Sequence, residues 1–364
     1  MNSEVTNPAI EQVEKSIFSS PTRYLFPSIQ SDLRKKMVLI MGPRQVGKTT
    51  LTQQLFAAFD GSPPNQAIVV TGSARLDTFR QAGESLAGRY FSHHLMPFSV
   101  KELTTTEHSL QTPMQTPAQA LDALLRFSGF PEPLFEGSET HLARWQEQYF
   151  TDLVREDILE FGRIQELRTM RILLEMLRSR TGSPLSYNGL AQDLAVSPTT
   201  VRKYIDILEA LHIVFLITPY HRNIARALSK APKLYFYDWT YVTGREDALA
   251  GAKLENLVAA SLLKHVHFQK DSLGKRMSLH YIQTTSGKEV DFVLCDAAGE
   301  MTHAIEVKMS DAKPSLALRD IAAQHPNAKA VQLVYHASTA YTLGALQGNV
   351  NIEPAAAWLN TLSA

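Results

Sequence analysis

A single cysteine, Cys295, is all that 364 residues contain. That excludes an internal disulfide framework and any zinc site built from several thiolates, and it fits a reducing compartment. Net charge is also lacking, because 36 Lys and Arg stand against 36 Asp and Glu. A uniformly basic coat is thereby excluded, and affinity for nucleic acid has to come from a local patch. No run of about 18 apolar residues occurs, and the amino terminus MNSEVTNPAIEQVEK is polar and mixed in charge. No internal repeat or low-complexity tract stands out. The chain therefore reads as a soluble, cytoplasmic protein with no membrane partner. It is long enough for two or three domains, each burying its own core.

What is present begins with MGPRQVGKTTL, Met41 to Leu51. Apolar MVLIM before it and helical KTTLTQQLFAAF after it predict strand, loop and helix. Gly42, Gly47, Lys48 and Thr49 satisfy the phosphate-loop spacing G-x-x-x-x-G-K-[ST] in the context that the motif requires. Each residue type has a task. Glycines let backbone N–H groups along Gly42, Pro43, Arg44, Gln45, Val46, Gly47, Lys48, Thr49 and Thr50 curl around phosphates, and the helix amino terminus adds partial positive charge. Lys48 reaches the β and γ phosphates, and Thr49 offers a hydroxyl to Mg²⁺. ATP and Mg²⁺ are the expected cofactors. Hydrolysis needs more, normally a second apolar strand ending in Asp to hold the metal and place water. Met37 to Thr71 spans 35 residues, enough for one strand-helix-strand unit and no further strand. Asp60 would lie at the far end of the helix, and the next strand, AIVVTGS, ends in Thr71 and Ser73.

From Pro113 to about Gly182 the pattern turns helical, interrupted by GFPEP and preceded by a polar linker, Glu107 to Gln119. SPLSYNGLAQDLAVSPTTVRKYIDILEALHIVFLITPY then predicts two helices joined by a tight turn and followed by a wing strand, a winged helix-turn-helix. Ser197 caps the second helix, Pro198 occupies its first turn, and Val201, Ile205 and Leu208 share a buried face. Thr199, Thr200, Arg202 and Lys203 face outward, as residues entering a major groove would. Pro219 to Lys233 holds His221, Arg222, Arg226, Lys230 and Lys233 with no acid, a stretch that could meet duplex phosphates beside the wing. A packing module with a solvated basic face is the competing reading.

In the last third, LENLVAASLLKHV predicts an amphipathic helix carrying Glu255. Strands then place Asp291 (GKEVDFVLCD) and Glu306 and Lys308 (MTHAIEVKMS). Residues two apart on a strand share a face, so Asp291, Glu306 and Lys308 can converge at a hairpin, with Glu255 reaching in. Such carboxylates suit Mg²⁺ or Mn²⁺, and the lysine suits activation of water at a phosphodiester. A solvent-facing salt-bridge cluster is the alternative. Val290, Phe292, Ile305 and Val307 should form core on the opposite face under either reading.

The segments GPRQVGKTTL, IVVTGSARL, SLAGRYFSHHLMPFSVKEL, GFPEP, KLYFYDW, LENLVAASLL, GKEVDFVL and AIEVK occur in an order that resembles the AAA-type ATP-binding proteins of bacteria and archaea that carry a conserved uncharacterised carboxy-terminal domain. The likeness covers nearly the whole chain. It implies that TGS is the sensor strand, with Thr71 near the γ-phosphate. It also implies that Arg89 is an arginine offered to nucleotide across a subunit boundary in a homo-oligomer, where a surface ion pair is the plainer reading; Arg75 is a weaker candidate. The last domain resembles PD-(D/E)xK restriction-type nucleases. The chain departs from the family in lacking an acidic strand segment, the gap being bridged by DGSPPN. The expected fold class is α/β: a shortened AAA-type P-loop domain without its Walker B strand over 1–112, a helical lid or connector over 113–182, a winged helix-turn-helix over 183–235 and an endonuclease-like domain over 236–364. The expected function is ATP-controlled action on double-stranded DNA or other nucleic acid. The alternative is a nucleotide-sensing regulator without catalysis.

Overall fold

The computed structural model describes residues 21–59, 68–72, 88–105, 116–153, 164–220, 231–283, 289–310, 313–343 and 349–364. Asp60, Ser73, Arg75, His221, Arg222, Arg226 and Lys230 lie outside them. The described residues form a mixed α/β fold built on two sheets.

The first sheet follows from one strand-helix-strand crossover. Helix α1 (Phe26–Asp32) precedes β1 (Met37–Met41), and the glycine loop leads into α2 (Lys48–Ala57). Strands β2 (Val69–Gly72) and β3 (Tyr90–His94) then pair with β1 from either side, both parallel, in the order β2-β1-β3. Parallel pairing demands a crossover, and α2 supplies the one between β1 and β2. Leu51 and Leu55 of α2, Val38 and Ile40 of β1, and Leu25 and Ile29 around α1 bury together. Short α3 (Val100–Thr104) follows β3.

The helical region holds α4 (Pro117–Phe127), α5 (Pro131–Glu136), α6 (Glu139–Leu153) and α7 (Ile164–Arg178). The segment expected to be linker through Gln119 ends inside a helix. Thr116 and Gln119 form a reciprocal capping box, and Pro117 fills the first turn. Next, α8 (Tyr187–Leu194) and α9 (Pro198–Ala210) turn about Ala195, which is left-handed. Ser197 Oγ accepts from Thr200 N, and Val201, Ile205 and Leu208 are buried, as the spacing predicted, with Tyr204 beside them.

Strands β4 (Val214–Pro219) and β5 (Lys233–Phe236) pair antiparallel after α9. They do not stand apart as a free wing. β4 also pairs, in parallel, with β6 (Ser278–Gln283) through Thr218↔His280 and Pro219↔Tyr281. With β7 (Glu289–Cys295), β8 (Met301–Lys308), β9 (Lys329–Val334), β10 (Tyr341–Leu343) and β11 (Val350–Pro354) they make one eight-stranded sheet, ordered β10-β11-β9-β8-β7-β6-β4-β5. A boundary between residues 235 and 236 thus falls within β5. Helix α10 (Glu246–Leu273) covers one face, and α11 (Leu316–Gln324) covers the other. Short α12 (Ala355–Leu359) closes the chain. α10 is longer than the amphipathic segment suggested, and it is buried nearly all round between Leu254 and Leu262 because β5, β8, β3 and α4 surround it.

One register feature shapes the site. His280 opposes Val293 while Ile282 opposes Val290, so Tyr281 faces two residues, Asp291 and Phe292. That bulge corrects the expectation that Val290 and Phe292 share a face. Both are fully buried, yet Phe292 joins the core under α10 and Val290 the core under α11.

Among the described residues, no helix is long and apolar enough to cross a membrane.

Candidate functional site

The glycine loop is held from three sides. Gly42 (φ 141°) and Gly47 (φ 98°) take conformations that L side chains rarely adopt, and a Cβ on Gly42 would run into the Leu95 carbonyl. Gln45 is also left-handed, at φ 55°. Gly47 is the N-cap of α2 and offers no side-chain cap, so the first-turn N–H groups are left to the loop's concavity. Lys48 Nζ donates to the Gly42 and Pro43 carbonyls at 2.9 and 2.6 Å, folded back over the loop. Thr49 is exposed and Thr50 half-buried at the start of α2. Helix α6 braces the far side. Trp145 Nε1 donates to Gln45 Oε1 at 2.7 Å, Tyr149 Oη reaches the Arg44 carbonyl at 3.5 Å, and the two rings stack beside Phe130.

The strands decide which other expected residues belong to the loop. Thr71 pairs with Ile40 at the carboxyl end of β2, beside the loop, and is exposed. Arg89 precedes Tyr90, which pairs with Met37 at the opposite end of the same sheet. At about 3.3 Å per residue it sits some 16 Å from the loop-bearing edge, so it cannot serve the loop of its own chain.

A buried ionic relay lies beneath the loop, and the sequence reading missed it. Arg23 donates from Nη1 to the Val46 carbonyl at 2.6 Å and from Nε to Glu102 Oε1 at 2.8 Å. The other oxygen of Glu102 accepts from Lys264 Nζ, on α10, which also reaches the Pro97 carbonyl at 3.0 Å. Burial alone would raise the Glu102 pKa, but the Arg23 and Lys264 charges overcome it and hold the carboxyl at about 2. One signal was available in the sequence. Lys264 falls at helical spacing from the apolar residues Leu257 and Ala260, on a buried face where a lysine needs a partner.

The second constellation assembles around the bulge of β7. Asp291 and Glu306 come from adjacent antiparallel strands, one position beyond the pair Phe292↔Ile305. Asp291 Oδ2 accepts from Val307 N at 2.8 Å. Glu306 Oε1 pairs with Lys308 Nζ at 2.9 Å, while its other oxygen accepts from Ser315 Oγ, the N-cap of α11. Glu255 enters from α10 and accepts from Tyr235 Oη at 2.8 Å. Lys233 is fully buried, paired with Glu289 and 3.8 Å from Glu255. It is therefore part of this cluster rather than of an exposed basic flank. Gly182 backs the Glu255 carboxylate so closely that a Cβ there would come within 2.7 Å of Glu255 Oε1.

Crowding sets the protonation here. Burial first and Asp291 second raise the Glu255 pKa to about 8; burial, together with Glu306, raises that of Asp291 to about 6. Burial would lower the Lys308 pKa, but its hydrogen bond to Glu306 and the surrounding carboxylates lift it. Oxygen donors with raised pKa values suit a hard divalent cation. Asp291 and Glu306, with Glu255 above them, are the residues that could hold one. The three ligand oxygens do not all approach within 4.8 Å of one another; among the described residues that closeness is met by His94, His267 and Asp271.

On α9, Thr199, Arg202 and Lys203 are exposed and Thr200 half-exposed. The Arg202 guanidinium lies 4.5 Å over the Tyr187 ring, which fixes it at the solvent face of the helix pair.

Residues 118–243 match the family described as "Domain of unknown function (DUF8612)", and residues 250–353 match the one described as "Domain of unknown function (DUF4143)". The seam between the two, residues 244–249, takes in the first turn of α10. Uncharacterised proteins of Mycobacterium bovis and of Mycobacterium tuberculosis are each 26% identical to the chain over 310 residues, covering 71% of it and 67% of their own length. No solved structure matches the chain.

Proposed function

We propose that the chain is an ATP-binding protein of the AAA type that acts on, or is regulated at, nucleic acid. The observation that carries this reading is the loop, where left-handed Gln45 and Gly47, an uncapped α2 amino terminus and Lys48 converge on one concavity. Such a nest of N–H groups with one lysine binds a polyphosphate. Domains like the one matched at 250–353 are commonly found in AAA-ATPase-associated proteins, which agrees with the loop.

In this reading Lys48 leaves the Gly42 and Pro43 carbonyls for the β and γ phosphates, Thr49 turns its hydroxyl to Mg²⁺, and Thr71 faces the γ-phosphate. A specific observation favours binding over turnover. The strands flanking and including β1 read MVLIM, VVTG and YFSHH, and none ends in a carboxylate that could order metal and water. Arg89 would meet nucleotide only from a second copy of the chain.

The eight-stranded sheet supplies the nuclease-like part of the proposal. Bound there, Mg²⁺ or Mn²⁺ would supply Lewis-acid polarisation of a phosphodiester. Asp291 and Glu306 would be its ligands, Glu255 would take up a proton from the entering water, and Lys308 would face the phosphate. Exposed Arg202 and Lys203, with Arg222, Arg226 and Lys230, would hold the duplex backbone. All of this rests on the loop reading for its control by ATP.

Titration of the purified chain with a fluorescent ATP analogue tests the loop. Saturable binding lost in Lys48→Ala, with little phosphate release from the parent, is expected. No binding by the parent would overturn the proposal, and vigorous release lost in Lys48→Ala would overturn its non-hydrolytic form.

A further inference from the structure

Helix α10 carries two ligating side chains one turn apart, His267 and Asp271, on the face that meets the edge strand of the P-loop sheet. His94, the last residue of β3, reaches across to both. Its Nδ1 lies 2.7 Å from Asp271 Oδ2, its backbone N donates to the same oxygen at 3.1 Å, and its ring stacks on His267 with centroids 4.0 Å apart. One ligand atom from each of the three lies within 4.8 Å of the others.

The chemistry of this group calls for a cation. The Asp271 side chain is only 4% exposed, and its ion pair is with His94, an imidazole charged only when protonated. A buried carboxylate needs firmer compensation than that. A divalent ion held by the three side chains would place two positive charges beside that carboxylate. Two nitrogens and one oxygen are the donors of a borderline metal. Mg²⁺ and Ca²⁺ favour oxygen alone, and soft ions favour thiolates.

The geometry points to a zinc-class metal site, for Zn²⁺ or its surrogates Co²⁺ and Ni²⁺, formed by His94, His267 and Asp271. Three protein ligands leave a coordination position for water, and the 19% exposure of His94 gives solvent access to it. The ion clasps β3 to α10 and so joins the P-loop sheet to the eight-stranded sheet. The clasp adjoins the phosphate loop, because Leu95 follows His94 and presents its carbonyl to Gly42. Neither the loop reading nor the carboxylate cluster is needed for this inference.

The full chain, stripped with a chelator and titrated with Co²⁺, provides the test. Visible ligand-field bands saturating at one equivalent, bleached by Zn²⁺, are expected, and Zn²⁺ should raise the thermal midpoint of the parent. His267→Ala and Asp271→Asn should each weaken Co²⁺ binding by roughly tenfold or more, whereas a chain carrying Asp291→Asn and Glu306→Gln should keep it. Absence of bands in the parent overturns the site without needing any variant. Bands that persist unchanged in His267→Ala and Asp271→Asn, or that vanish only in the Asp291→Asn/Glu306→Gln chain, overturn it as well and assign the metal to the carboxylate cluster or elsewhere.

Discussion

A carboxylate cut off from water stays ionised only where cations surround it, and Glu102 is placed that way between Arg23 and Lys264. Glu102→Gln leaves two buried cations facing a neutral amide. Unfolding in urea should show a loss of about 3–5 kcal/mol, the usual cost of breaking such a pair from one side. The pH sign follows from a folded pKa of about 2 against an ordinary 4.5. The contribution is fully present above about pH 4.5 and disappears as pH falls toward 2. Midpoints measured between pH 2 and 5 should fall for the parent and stay flatter for Glu102→Gln. Equal slopes would show that Glu102 is not charged in the folded protein.

At the scale of the element, the helix pair α8–α9 exposes Arg202 and Lys203 on the side away from Val201, Ile205 and Leu208. If that side contacts duplex phosphate, replacing both by Ala should weaken binding across sequences and lower the slope of log affinity against log salt by up to about 2, close to one unit per lost contact. Unchanged affinity and slope in a fluorescence-anisotropy titration would assign α9 to packing alone. Strand β7 teaches a different lesson. A strict alternation puts Val290 and Phe292 together, but the extra residue opposite Tyr281 sends them to separate cores and sets Asp291 against Val307 N. Bulges of this kind re-aim a side chain at the cost of one ladder bond.

For the molecule as a whole, the carboxylate cluster predicts a pH dependence opposite to that of Glu102. Glu255 and Asp291 have folded pKa values of about 8 and 6, above their ordinary 4.5 and 3.8. Their protonated forms stabilise the fold below about pH 4, and that contribution is lost as pH rises through 6 and then 8. Melting midpoints between pH 5 and 8.5 should fall, less so in Glu255→Gln. Mn²⁺ should raise the midpoint of the parent at pH 8 and not that of Asp291→Asn. A flat profile in the parent, or equal Mn²⁺ shifts in both, would remove the metal role from this cluster. The continuous sheet carries a second prediction at this scale. Asn256 of α10 accepts from Phe236 N at 2.9 Å and donates to the Phe236 carbonyl at 2.7 Å, and Lys233 ends buried against Glu289. A fragment of residues 246–364 lacks β4 and β5, so it should show no cooperative unfolding transition by circular dichroism. A sharp transition would mean that the last third folds alone.

Local chemistry was legible in the sequence: the glycine loop between β1 and α2, the Ser197 cap, and the buried face of α9. Each is fixed by neighbours within a turn or a strand, where spacing and backbone sterics act directly. The order β1, α2, β2 was legible too, because a strand, a helix and a strand consume a known length of chain. Everything that joins distant segments was decided by the tertiary structure. Spacing cannot say that Arg23, Glu102 and Lys264 meet, that Lys233 leaves the surface for Glu289, or that His94 finds His267 and Asp271. Those encounters depend on which strand lies beside which and on where a long helix crosses two sheets. The sequence names the donors and acceptors, and burial decides which of them must find one another, because an unpaired charge in the core costs more than the fold has to spare.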